Sequence, residues 1–125
     1  MSQNKKWKSK AKEHFIAGKI LYENKLYRDS LARLYYSAYS IMVSVCGDPP
    51  SGRWAHKGIL KCFFKALFEK NKIDAFSKEE ITLIKDFYEE RRRADYTTGE
   101  IDKFRVKDYI NLVGKILEVV ENGKD

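Results

Sequence analysis

The sequence predicts an all-α fold, an antiparallel up-and-down bundle of about five helices, and three observations carry that expectation. Apolar residues recur at steps of three and four through most of the chain, the spacing of one helical face. Helix breakers are concentrated in few places: the only prolines are Pro49 and Pro50, and Gly47, Gly52, Gly99 and Gly123 sit beside them or near expected helix ends. No stretch alternates apolar and polar residues as a half-buried strand does, and nothing repeats at a solenoid period.

Helix one is expected from Trp7 through Ala11, Phe15, Gly18 and Leu21, before a turn near Asn24 to Leu26. Leu31, Leu34, Tyr35, Ala38, Ile41, Met42 and Val45 set the face of helix two, which Gly47 and the two prolines end. A third helix begins at Ala55 or His56, carries Ile59, Leu60, Phe63, Ala66 and Leu67 inward, and stops near Asn71. Its other face is basic, with Lys57, Lys61 and Lys65 four residues apart, and Arg53 in line with them if the first turn extends that far. That stripe is either a phosphate-binding track or a solvated surface. Ser77 followed by Glu80 is a capping box that starts helix four. Its face reads Ile81, Ile84, Tyr88 and then Arg91 and Asp95. After the turn Thr97 to Glu100, helix five starts at Asp102 or Lys103, with Phe104, Tyr109, Leu112, Val113, Ile116, Leu117 and Val120 inward and Gly123 as its stop.

A chain of 125 residues fits one domain, residues 1–125, able to bury a core without staples. At 43% hydrophobic and 34% charged residues it is too apolar to be disordered. Its apolar runs fall far short of the ~20 residues that span a bilayer. The N-terminus has cations but no apolar signal region, so the cytoplasm is the expected compartment. Cys46 and Cys62 lie in predicted helices beside apolar neighbours and are expected to be reduced core thiols rather than a disulfide or metal ligands. With only His14 and His56 besides, no zinc-type ligand set exists, and neither a structural metal nor a cofactor is expected. The net charge of +7 is uneven. Lys5, Lys6, Lys8, Lys10 and Lys12 precede the first acidic residue, a flexible cationic tail that serves either nucleic-acid contact or solubility.

One constellation asks for an explanation. The apolar stripe of helix four continues into Arg91 and Asp95, so a cation and an anion occupy core-facing positions, where burial is costly unless the groups are paired. Either Arg91 and Asp95 form an ion pair along the helix, or Arg91 points into a cleft where its guanidinium fork grips a phosphate, with Arg92 and Arg93 supplying positive potential. Tyr96, at the helix end, is either a cap on the core or a reactive or modifiable hydroxyl beside the arginines.

The blocks Leu34-Tyr35-Tyr36-Ser37-Ala38-Tyr39, Ala55-His56-Lys57-Gly58 and Arg91-Arg92-Arg93-Ala94-Asp95-Tyr96 together resemble the HEPN family, specifically its small stand-alone prokaryotic branch with an Arg-x-x-Ala-Asp-Tyr ending. The resemblance covers nearly the whole chain. It implies a helical bundle that dimerises through the helices carrying the motif, so that two arginine segments share a cleft. It also implies a small nucleotidyltransferase partner and, in many members, metal-independent ribonuclease activity. By resemblance Arg91 matches the motif arginine. The nuclease motif needs a histidine between one and two turns later, where this sequence has Tyr96, Thr97 and Thr98. Histidine is the side chain best tuned to move protons near neutral pH, and arginine is not. His56 replaces it only if the fold brings helix three to Arg91; Asp95 and Tyr96 are weaker substitutes.

Three functions follow from these readings. The first is a HEPN-like homodimer that pairs with a nucleotidyltransferase in a toxin–antitoxin-like system and binds nucleotide or RNA at the Arg91 to Tyr96 cleft, with Arg91, Arg92, Arg93, Lys57 and Lys61 as binding residues. The second is a metal-independent ribonuclease using Arg91 with His56, Asp95 or Tyr96. The third is a basic RNA-binding protein driven by the lysine tail and stripe. The first is the preferred reading. No Gly-rich phosphate loop, nucleophile elbow or metal-binding carboxylate pair is present, which disfavours nucleotide hydrolysis and metal-dependent catalysis.

Overall fold

Five helices form in the positions the periodicity marks: α1 (Ser2–Glu23), α2 (Tyr27–Cys46), α3 (His56–Glu69), α4 (Lys78–Tyr96) and α5 (Lys103–Glu121), with a 3-10 turn at Ile73–Ala75. The structure, a computed structural model, describes residues 2–49 and 51–122, and no strand occurs among them. Pro50 and Gly123, expected as breakers, lie outside the described residues. The lysines at positions 5, 6, 8, 10 and 12 belong to α1, so the expected flexible tail is helix in this structure.

The helix ends have local causes. Gly47, at φ +83°, closes α2, and Asn71, at φ +58°, takes the left-handed conformation just beyond α3. Ser77 accepts from the Glu80 amide while the Glu80 carboxylate accepts from the Ser77 amide, completing the capping box that starts α4. Glu80 also pairs with Lys115 at 2.8 Å, which fastens the start of α4 to α5. Asp102 caps α5 by accepting from the Phe104 amide.

Helix α2 lies at the centre and touches each of the other four helices. Its contact with α1 is especially close, for a reason visible in pairs one heptad apart. Ser30 donates to the Gly18 carbonyl and Ser37 to the Ala11 carbonyl, each at 2.7 Å and fully buried. Each such bond contributes roughly 1 kcal/mol and requires near backbone contact. Gly18 permits that approach: a Cβ there would stand 2.9 Å from Leu34 Cδ2. Around this hairpin the core is filled by Leu34, Ile41, Ile59, Phe63, Ile84, Tyr109 and Ile116.

Three further expectations are corrected. Phe104 is 70% exposed, because it sits in the first turn of α5, before the inward stripe begins at Val106. On α4 the core positions are Ile84, Phe87 and Ala94, which turns Arg91 to the flank of the core and leaves Asp95 exposed. Cys46 and Cys62 are not free thiols: the last residue of α2 and the second turn of α3 come together, and the two sulfurs are joined in a disulfide. Sequence reading placed both cysteines on apolar faces, but only the packing of α2 on α3 decides that those faces meet.

Candidate functional site

Helices α1, α2 and α4, with the segment leading into α3, enclose a cleft of about 490 Å³. Trp7, Lys10 and His14 enter it from α1, Tyr35, Tyr36, Tyr39 and Ser40 from α2, Arg53 to His56 from the connecting segment and the first residue of α3, and Tyr88 and Arg91 from α4. The side chains reach it because α2 presents Tyr35 and Tyr39 one turn apart, while Tyr88 and Arg91 occupy the α4 flank beside the buried Phe87.

Arg91 is the centre of the arrangement. Its side chain is only 15% exposed, and its guanidinium carbon lies 5.0, 5.6 and 5.4 Å from the ring centroids of Tyr35, Tyr36 and Tyr88. The electron-rich ring faces offset part of the cost of burying the cation. One guanidinium nitrogen pairs with Asp95 at 2.6 Å. Arg91 Nε is buried without a hydrogen-bond partner, and so is Trp7 Nε1 on another wall of the cleft. Two buried donors without a partner thus belong to residues that line one concave, cationic cleft.

His56 stacks on Tyr88 with centroids 4.4 Å apart and lies 3.5 Å, through Nδ1, from the Tyr35 hydroxyl. Burial lowers its pKa; a hydrogen bond to the Lys85 backbone and the Glu89 charge act in the opposite sense, and Arg91 adds to the lowering. His14 is also lowered, first by burial and then by Arg33 and Lys10, with Glu13 opposing. Burial pushes the Tyr35 hydroxyl up to about 12 against the pull of Arg91, so it stays protonated near neutrality and can donate.

The sequence-derived residues therefore divide. Arg91 and His56 are brought into one cleft, as the expectation of a substituted histidine requires. Asp95 stands at the edge, where it holds Arg91. Arg92 is at the surface over Tyr88 and Tyr96, and Arg93 is exposed, its carbonyl accepting from the Thr97 hydroxyl at the end of α4. Tyr96 is 78% exposed and lines no part of the cleft. Lys57 and Lys61 lie on the exposed face of α3, outside the cleft. Missed from sequence were His14, Trp7, Trp54 and Tyr88. The usable signal was the tyrosine run at positions 35, 36 and 39, aromatic beyond what one core face needs. A broader depression of about 830 Å³ lies by the α1–α2 turn, but its arginine, Arg28, already donates to the carbonyls of Ala94, Thr97 and Gly99. That cation is committed to holding the α4–α5 loop. Among the described residues no cluster of three or more His, Cys, Asp or Glu is placed to hold a metal, and no helix is long and apolar enough to cross a membrane.

Comparison with known proteins agrees with this architecture. The family model described as HEPN domain matches residues 4–123. Two proteins of Methanocaldococcus jannaschii are similar over most of this chain: "Putative toxin MJ0605", 35% identical over 72% of the chain, and "Putative toxin MJ0142", 30% identical over 75% of it. The matched regions span 65% and 63% of those relatives' own lengths. No solved structure matches the chain. The chain belongs to the HEPN family.

Proposed function

We propose that this HEPN domain is a toxin-like interaction module that binds RNA or a nucleotide in the cleft around Arg91. The observation that carries the reading is the pair of buried, unpartnered donors, Arg91 Nε and Trp7 Nε1, in a cleft walled by aromatic rings. A phosphate oxygen is the acceptor that an arginine fork suits best, and a base is the planar group that Tyr35, Tyr39 or Trp54 can stack on. Stacking on an aromatic ring contributes roughly 1–3 kcal/mol per base. Arg53 and Lys10 at the rim, and the exposed Arg92, Arg93, Lys57 and Lys61, add attraction without geometry. The toxin component of the reading rests on the names of the two relatives. A homodimer and a small nucleotidyltransferase as neutralising partner belong to the same reading, tested by sedimentation and by co-purification.

Both tryptophans of the chain line the cleft, so intrinsic fluorescence reports its occupancy. Titration with short single-stranded RNA and with AMP should quench the wild type. A folded Arg91→Ala variant should bind about 10- to 100-fold more weakly, the loss of one charge-assisted contact. Equal affinity of the two proteins would overturn the proposal.

A second reading, a metal-independent ribonuclease, is favoured by one specific observation: His56 shares the cleft with Arg91 although the motif position after Arg91 carries no histidine. RNA cleavage in EDTA, lost in the folded Arg91→Ala protein, is its test.

A further inference from the structure

We infer that the ligand of the Arg91 cleft is an RNA strand rather than a mononucleotide, and that its flanking phosphates lie along the exposed face of α3, on Lys57, Lys61 and Lys65. The inference rests on the binding site proposed above and narrows its ligand.

Helix α3 starts at the cleft and leads away from it. Arg53, just before the helix, and His56, its first residue, line the cleft. Ala66 and Leu67, toward its other end, line a different hollow with Asn4 and Val120. Lys57, Lys61 and Lys65 are exposed along the helix between these ends. Residues four apart share a helical face and are separated by a rise of about 6 Å. That step is close to the distance between neighbouring phosphates of an extended strand, so a strand leaving the cleft along α3 meets one lysine per phosphate.

The fold leaves this charge uncompensated. Between positions 53 and 72 stand Arg53, Lys57, Lys61, Lys65, Lys70 and Lys72, against Glu69 as the one carboxylate besides the Asp-free helix itself. Elsewhere surface cations find carboxylates, as Lys12 does with Glu121, Arg92 with Glu89 and Lys115 with Glu80. Among the described residues none of Lys57, Lys61 and Lys65 is in an ion pair. Like charges four apart on a helix repel one another. The first turn of α3 adds to the repulsion, because it has no acidic residue and no side-chain cap to offset the positive end of the helix. A row of phosphates relieves both.

The same face carries an aromatic ring. Phe68 is 71% exposed and stands three residues beyond Lys65, where the fold has no packing use for it and a base can stack on it. An anionic membrane is the other polyanion that attracts lysines, but it is held by an apolar stripe as well. Here the apolar stripe of α3, Ile59, Phe63 and Leu67, is buried in the core, which leaves the exposed face too polar to insert. Lysines interleaved with one exposed ring and continuous with an aromatic cleft suit a single strand.

The experiment titrates tryptophan fluorescence with AMP and with oligoadenylates of about two, four and eight nucleotides over a range of salt. It compares wild type, Arg91→Ala, the triple variant Lys57→Gln, Lys61→Gln, Lys65→Gln and the same triple change to arginine, each checked by helical circular dichroism. Wild-type affinity should rise with length, the longest strand binding at least about 10-fold more tightly than AMP. The glutamine variant should bind that strand about 10- to 100-fold more weakly. Its slope of log affinity against log salt should flatten by about 2, since three phosphate contacts are lost at roughly 0.7 each. AMP, which reaches no further than the cleft, should lose only diffuse attraction, about 2-fold. The arginine variant should recover the strand affinity. Lys61→Gln alone, should the triple variant unfold, should flatten the slope by about 0.7. Equal wild-type affinity for AMP and strand, or an unchanged slope in the glutamine variant, would overturn the inference while Arg91-dependent binding kept the proposed site. Strand binding undiminished in Arg91→Ala would overturn both. Phosphatidylserine vesicles test the other polyanion: lysine-dependent sedimentation with them, beside no binding of the longest strand, would overturn the inference in favour of a membrane surface.

Discussion

Glu90 and Arg91 are consecutive residues of α4, and the helix turns them to opposite flanks with opposite outcomes. Glu90 is fully served. Arg105 donates to its carboxylate through Nε at 2.9 Å and Nη2 at 2.6 Å, and the Tyr109 hydroxyl donates at 2.8 Å. Phe87 and Tyr109 stack against this network at 4.0 Å, and the Tyr109 pKa is driven up by burial and by the Glu90 bond. Arg91, one residue on, has a single carboxylate and a buried Nε with nothing to bond. The contrast teaches how to tell two kinds of buried charge apart: a group whose hydrogen-bonding capacity is filled by the fold is holding the fold, and one left part-filled in a concave space is available to a ligand.

Four results would break or sharpen that comparison. Replacement of both Cys46 and Cys62 by alanine should lower stability most, by about 3 kcal/mol, the chain-entropy value for a loop of this length. Denaturant melts should show this loss without a matching loss of ligand affinity. Glu90→Ala should cost about 2–3 kcal/mol, since it strands Arg105 and Tyr109. The value lies below that of a fully buried pair because the Arg105 side chain is 41% exposed. Arg91→Ala should cost under about 1 kcal/mol, the size of an ion pair along a helix, while abolishing most binding. A large stability loss there would make Arg91 a second Glu90 and end the distinction.

The smallest effect concerns pH. His14 and His56 both have pKa values lowered from 6.5 in the folded state, so the unfolded chain binds more protons between the folded and unfolded values. Stability should therefore be greatest above pH 6.5 and should fall as the pH drops below it. The double variant His14→Gln, His56→Gln should show a flatter profile in thermal melts across that window.

Helix positions were legible in the sequence because they depend on local spacing and caps. The Ser77 and Glu80 box and the turn at Gly47 needed nothing beyond neighbours in the chain. The site was legible only in part. Arg91 stood out because a cation followed an apolar stripe, and His56 because a family motif is incomplete without a histidine. His14, Trp7 and Trp54 carried no such signal: each reads locally as one more residue of an amphipathic helix or a connecting segment. The half-buried carboxylate, Glu90, was also hidden, because its partners Arg105 and Tyr109 lie on another helix.

By itself the sequence determined five amphipathic helices, their boundaries apart from the start of α1, and the conspicuous arginine near the end of the fourth. Periodicity and capping act within a few residues, and those are read along one dimension. Which flank of α4 faces Arg105 and which faces Tyr35, whether Cys46 meets Cys62, and whether two histidines 42 positions apart share a cleft with Arg91 were decided by the packing of α1, α3 and α5 about α2. Such contacts depend on the rotation and offset of whole helices, which shape complementarity in the core sets and no local pattern encodes.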